Sequence, residues 1–271
     1  MVDVEDLKSI ASVCSPRDTF GGKSYSDWII DWNKWLVSAD ILSDIQGTMC
    51  FTHGNLNYQY DKDGGARIMN PVQETYNRIN ENGILVSNSI GIFFPIITST
   101  RMAGFRDYGG EVLWTELELK NASKNDIAEG GLYYLKVSNK KTEYGLADLD
   151  HYIFQTPIYD LEVSEKNPFL EKFEVPIEPG SYKAVTSGIF VIFKFVKAGT
   201  YFVAFGGDGV GTYKTRALYS FTILESAAKA DKPLTIITTE DGSKFVKEFR
   251  DISKDMKVFD TIDEKLYKKK A

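Results

Sequence analysis

The residues able to do chemistry are few. His53 and His151 are the only histidines, which rules out a three-histidine metal site. Cys50 and His53 have the C-x-x-H spacing of half a zinc site, but a structural zinc takes four ligands and no second pair follows. We read His53 as a turn residue and His151 as the start of a loop or strand, and expect no metal and no cofactor. Asp61 and Asp63 before Gly64 resemble part of a calcium loop, but Gln59 and Asn70 stand where such a loop puts its first and last acids. The run Gly206-Gly207-Asp208-Gly209-Val210-Gly211 resembles a phosphate cradle only in its glycines. A true cradle opens a helix and carries a following Lys-Ser or Lys-Thr; strand-like runs flank this one, which makes it a hairpin loop. No G-x-S-x-G or H-E-x-x-H occurs. Asn121-Ala122-Ser123 is a glycosylation sequon, of consequence only in a secreted chain. Asp and Glu number 38, so a glycosidase-like carboxylate pair stays open. Asp27, Asp31, His53 and Arg101 are the nominees for a carboxylate-based hydrolase, and no residue is assigned as catalytic.

Trp28, Trp32 and Trp35 are three of the four tryptophans and fall at i, i+4 and i+7. Ser24 or Ser26 can cap a helix from Asp27 to about Val37 that carries them on one stripe. Exposed, the stripe is an aromatic surface for a sugar. Buried, it docks the helix on a sheet, because tryptophan supplies the largest apolar area per residue. We read docking, with Asp27, Asp31 and Lys34 on the solvated side. The three tryptophans nevertheless stand with His53, Arg101 and Asp208 as binding candidates.

The elements that position these residues are mostly strands. From Gly180 to Leu224 the chain is rich in Phe, Tyr, Val, Ile and Thr, punctuated by glycine. Ile189, Val191, Phe193 and Phe195 alternate with Phe190, Ile192 and Lys194. After a turn at 197–200, Tyr201, Val203 and Phe205 alternate with Phe202 and Ala204, and a third run spans Leu218 to Leu224. We expect an antiparallel meander, apolar on both faces, at the middle of a sandwich or barrel. Strand-like runs also cover 49–52 and 56–60, joined by a His53-Gly54-Asn55 turn. Others are a pair within 84–97 bent by Pro95, then 112–119, 132–137 and 152–154, for about ten strands with helices mainly at the two ends. Val4, Leu7, Ile10, Ala11 and Cys14 recur at helical spacing and predict a short helix stopped by Pro16. After Leu224 comes a linker-like segment, then Ile252, Met256, Phe259, Ile262 and Leu266 near heptad spacing, ahead of a lysine run. These five are interface candidates on an amphipathic helical arm.

At 271 residues and 43% hydrophobic, the chain can bury a full core. A net charge of -6 argues against a nucleic-acid partner, since phosphate contacts need a basic face. No apolar run approaches the roughly 20 residues of a membrane span. The acidic N-terminus lacks the features of a signal peptide, and two cysteines suit a reducing compartment. A cytoplasmic protein, free or incorporated into a particle or virion, is the expectation.

Three segments carry a resemblance. Tyr-Ser-Asp-Trp-x3-Trp-x2-Trp at Tyr25 to Trp35, the Gly-Ile-Phe-Phe-Pro-Ile-Ile run at Gly91 to Ile97, and the block from Gly188 to Gly207 together resemble an uncharacterised β-rich family of bacteria and archaea. Phe190 takes the place of that family's tryptophan, and Phe202 or its neighbour that of its histidine. The cysteine the family often carries before its Phe-Phe-Pro strand is missing here. The resemblance implies a sandwich and no activity.

The sequence thus leads to a mainly β chain, a β-sandwich of jelly-roll-like type. Short helices at the N-terminus (1–39) pack on its core (40–224), and a linker and helical arm (225–271) follow. The function expected is a non-catalytic structural protein that self-assembles, as a homo-oligomer or with other structural subunits, in a shell, coat or capsid. A carbohydrate- or other ligand-binding module is the alternative, and the hydrolase a second one.

Overall fold

The computed structural model describes residues 4–37, 45–52, 58–60, 66–68, 84–105, 112–127, 133–139, 142–165, 178–208 and 214–224. In chain order these hold β1 (Val4–Asp6), β2 (Ala11–Val13), α1 (Tyr25–Leu36), β3 (Ile45–Gln46), β4 (Met49–Phe51), β5 (Tyr58–Tyr60) and β6 (Ala66–Ile68). Next come β7 (Ile84–Ser87), β8 (Gly91–Met102), α2 (Glu116–Asn125), β9 (Tyr133–Ser138), β10 (Glu143–Gly145) and β11 (Ile153–Gln155). The last are β12 (Tyr159–Val163), β13 (Gly180–Phe195), β14 (Gly199–Asp208) and β15 (Lys214–Leu224). The chain is mainly β, with two mixed sheets. One runs β1-β10-β9-β14-β15-β7, and the other β11-β13-β8-β4-β3 with β12 and β2 also on β13.

β13 is the spine of the second sheet. One edge pairs along β8; the other is covered in succession by β12, β11 and β2. Between β12 and β11, Thr156 closes the gap, since its N–H donates to Thr186 O and its hydroxyl accepts from Thr186 N. A 16-residue strand buried from Ala184 to Phe193 keeps its backbone satisfied only with such cover. The β8 register shifts where Ile189 faces Ile97 but Phe190 faces Pro95. Pro95 has no N–H to give the ladder, so a bulge is where it fits. Gly188 lies beside this bulge, and a Cβ there would collide with Ile97 O.

The two faces of this sheet bury different partners. Phe94 stacks on Phe193 at 4.7 Å and meets Phe205 of β14 and Phe221 of β15 edge-on at 5.5 and 6.0 Å, so the sheets share one apolar cluster. Through Phe93 and Phe190 the opposite face receives α1.

Several expectations are corrected. Residues 4–14 are not a helix. β1 adds in parallel to β10 and β2 pairs with β13, around a 3₁₀ turn at Leu7–Ser9. Leu7, Ile10 and Ala11 are buried in these pairings, which outweigh a helical spacing too short to nucleate alone. The stretch 112–119 is not a strand but leads into α2, so a helix stands mid-chain. The meander is split: β13 belongs to one sheet and β14 to the other, and the turn between them crosses the layers under a Phe195–Tyr201 stack of 4.2 Å. β14 and β15 do form the expected antiparallel hairpin. β7 and β8 lie in different sheets, and β4 pairs with β3 and, in parallel, with β8 rather than with β5. Parallel pairs also join β1 to β10 and β7 to β15, whereas a jelly roll is built of antiparallel ones. The arm positions Ile252, Met256, Phe259, Ile262 and Leu266 lie outside the described residues.

Candidate functional site

Ser24 begins α1 with a capping box: its hydroxyl accepts from Asp27 N, and the Asp27 carboxylate accepts from Ser24 N at 3.0 Å and Ser24 Oγ at 2.6 Å. Those hydrogen bonds, side chain first, hold the Asp27 carboxyl below its usual pKa. Asp31 pairs with Lys23 at 2.5 Å. Both α1 acids among the hydrolase nominees are therefore engaged in helix-end and surface contacts.

The tryptophan stripe faces inward. Trp28, Trp32 and Trp35 are 4%, 3% and 5% exposed, which removes them as a surface for a ligand. Trp32 stacks on Phe93 at 5.9 Å, and Trp28 and Trp35 pack on Phe51 at 6.2 and 5.5 Å. Two indole N–H groups end on backbone carbonyls, Trp28 on Phe20 O and Trp32 on Thr52 O. Beside them Asn33 donates to Thr186 Oγ1 at 3.0 Å and accepts from Thr100 Oγ1 at 2.9 Å, and Tyr159 OH lies 2.7 Å from Thr186 Oγ1. Such a closed polar network ties the helix to β8, β12 and β13. Burial pushes the Tyr159 phenol up.

Arg101 lies on the other face of the sheet, under α2. Its guanidinium grips Asp126 with two parallel bonds, Nε to Oδ2 at 2.9 Å and an Nη to Oδ1 at 2.8 Å. Ser99 donates to the same carboxylate, Ser123 donates to Ser99 O, and Gln155 joins Lys120 O to Ser187 Oγ. This seam fastens the helix to the sheet, and the bidentate pair also offsets a carboxylate at a helix C-terminus, where the macrodipole disfavours it. The three hydrolase nominees among the described residues thus form no common site: Asp27 and Asp31 lie on α1 and Arg101 is across the sheet, while His53 lies outside those residues. The Asp208 side chain does too, while His151 is exposed with its ring edge-on to Tyr152 at 5.7 Å. Among the described residues no cluster of three or more metal-ligating groups occurs. The sequon falls inside α2, with the Ser123 hydroxyl bonded to Ser99 O.

What the sequence reading missed is the outer surface of α2. Trp114 is 71% exposed and Leu117 67%, against three tryptophans that are buried. Thr115 caps this helix in a second capping box with Glu118. The Glu118 carboxylate accepts from the N–H groups of Thr115 and Trp114, which lower its pKa. Gly104, at φ +75°, lies beneath the indole, and a Cβ there would come within 2.8 Å of a ring carbon. Trp114 is therefore held with one side on backbone and the rest in water. The Thr115-x-x-Glu118 spacing was the available signal, because it marks a helix start and so takes Trp114 out of a half-buried strand.

No helix among the described residues is long and apolar enough to cross a membrane. Comparison with protein-family models, curated proteins and solved structures found no match.

Proposed function

We propose that the chain is a non-catalytic structural protein that assembles with copies of itself or docks into a larger particle such as a shell or coat, its two sheets forming a sandwich. One observation carries this reading. The charged and polar groups nominated for chemistry that fall among the described residues are occupied in caps, ion pairs and a buried network. By contrast, two large apolar side chains, Trp114 and Leu117, stand in water three residues apart. Tryptophan is enriched at the centres of protein interfaces, and a well-held ring gives up little entropy when it is covered.

The test is the molar mass of the full chain by size-exclusion chromatography with light scattering, over a concentration series. A discrete multimer supports assembly. A strict monomer overturns self-assembly, and the same exposed indole then favours the second reading, a carbohydrate-binding module. In that case a glycan panel should change tryptophan fluorescence in the parent and not in Trp114→Ala.

A further inference from the structure

We infer that residues 4–14 form a strap across the edges of both sheets that opens as a single unit, with the Tyr25 phenol as its catch. β1 ends the first sheet and pairs with β10, while β2 pairs with β13 of the second. Among the described residues no strand lies outside either one, so the segment can leave without breaking any pairing but its own. Between them the 3₁₀ turn carries Leu7 into the apolar cluster, with Ile10 and Ala11 in the same cluster. Ile10 O also accepts from Val196 N, just beyond β13. The two short strands thus share one set of apolar anchors, which makes them one cooperative unit rather than two fraying ends.

Where the strap leaves the sheet, a side chain fastens it. Cys14 N donates to Ile192 O at 2.8 Å. The reverse bond is relayed: Ile192 N donates to Tyr25 OH, which in turn donates to Cys14 O, each at 3.1 Å. The phenol, from the first residue of α1, takes a place in the ladder and ties strap, helix and sheet together at one point. Closed, the strap covers Phe193–Phe195 of β13 and Glu143–Gly145 of β10. Bared, such edges are templates for pairing with other chains, so the strap guards two sheet edges together.

Hydrogen exchange of the full chain tests this. The amides of β1 and β2, with that of Val196, should share one protection factor, lower than at the centre of β14, which pairs on both sides. Tyr25→Phe should reduce that protection about tenfold, the worth of a hydrogen bond. The same factor should appear in β1, at the far end of the strap from the phenol. A lock gives an independent measurement. Ser12 and Lys194 stand directly opposite, and Cα atoms of such pairs are about 4.5–5.5 Å apart, within the span of a disulfide. Oxidised Ser12→Cys/Lys194→Cys should bring the strap to the protection of β14, and reduction should restore the difference. If β1 and β2 are as protected as β14 in the parent, the strap opens only with the whole fold and the inference is wrong. It is equally wrong if Tyr25→Phe speeds exchange in β2 and leaves β1 unchanged, since the segment is then no unit. A Tyr25→Phe chain that exchanges as the parent does would remove the phenol as the catch.

Discussion

At the scale of single residues, the phenols of Tyr25 and Tyr159 carry a consequence for stability. Tyr25 OH donates to Cys14 O and accepts from Ile192 N, each at 3.1 Å, while Tyr159 OH hydrogen-bonds with Thr186 Oγ1 at 2.7 Å. Desolvation by burial raises both pKa values above the ordinary 10.0. Folding therefore favours the protonated phenols, and the unfolded chain releases protons first as pH rises through 10. Below that pH their contribution is complete; above it, stability falls with pH. Urea unfolding at about pH 9 and about pH 11 should show a lower midpoint at the higher pH. Tyr159→Phe, already weaker at neutral pH for want of its hydrogen bond, should show a smaller drop between the two. An equal drop in both proteins would mean that the Tyr159 phenol is not the group responsible.

At the scale of elements, β13 and β8 are held in register by a bulge that leaves no room at Gly188. Gly188→Ala drives a methyl group against the Ile97 carbonyl, with the Phe190 ring 2.9 Å away on another side. The expected cost is about 1–3 kcal/mol, as for other overpacked interiors, read as a fall in the urea midpoint. A variant as stable as its parent would show that the two strands can separate locally. The same elements show what was legible. Strand runs with strong alternation, such as 189–195 and 201–205, were found where they stand, and the α1 stripe was correctly read as docking. Which sheet each strand joins was not legible, because the turn after Phe195 looks the same whether it folds a hairpin or carries the chain across layers. Residues 112–119 misled for a different reason. Their alternation of apolar and polar types fits a half-buried strand, and only the Thr115–Glu118 box marks the helix. The N-terminal segment failed because its partners, β10 and β13, lie more than a hundred residues away. For Trp114, exposure depends on Gly104 and the α2 cap together, and no local pattern reports that.

At the scale of the whole molecule, symmetry separates two contacts. An isologous twofold contact closes at two copies, so any larger particle needs a second, different interface. We propose the segment with Ile252, Met256, Phe259, Ile262 and Leu266, near heptad spacing in the sequence, for that role. The apolar clusters of the described residues draw on positions between Leu7 and Ile223. Removing residues 252–271 should leave cooperative unfolding and the near-ultraviolet aromatic signal in place while reducing the size of the assembly. A truncated chain that still builds the full-length particle would exclude the arm as the second contact, and one that unfolds would show that the arm belongs to the fold rather than to assembly.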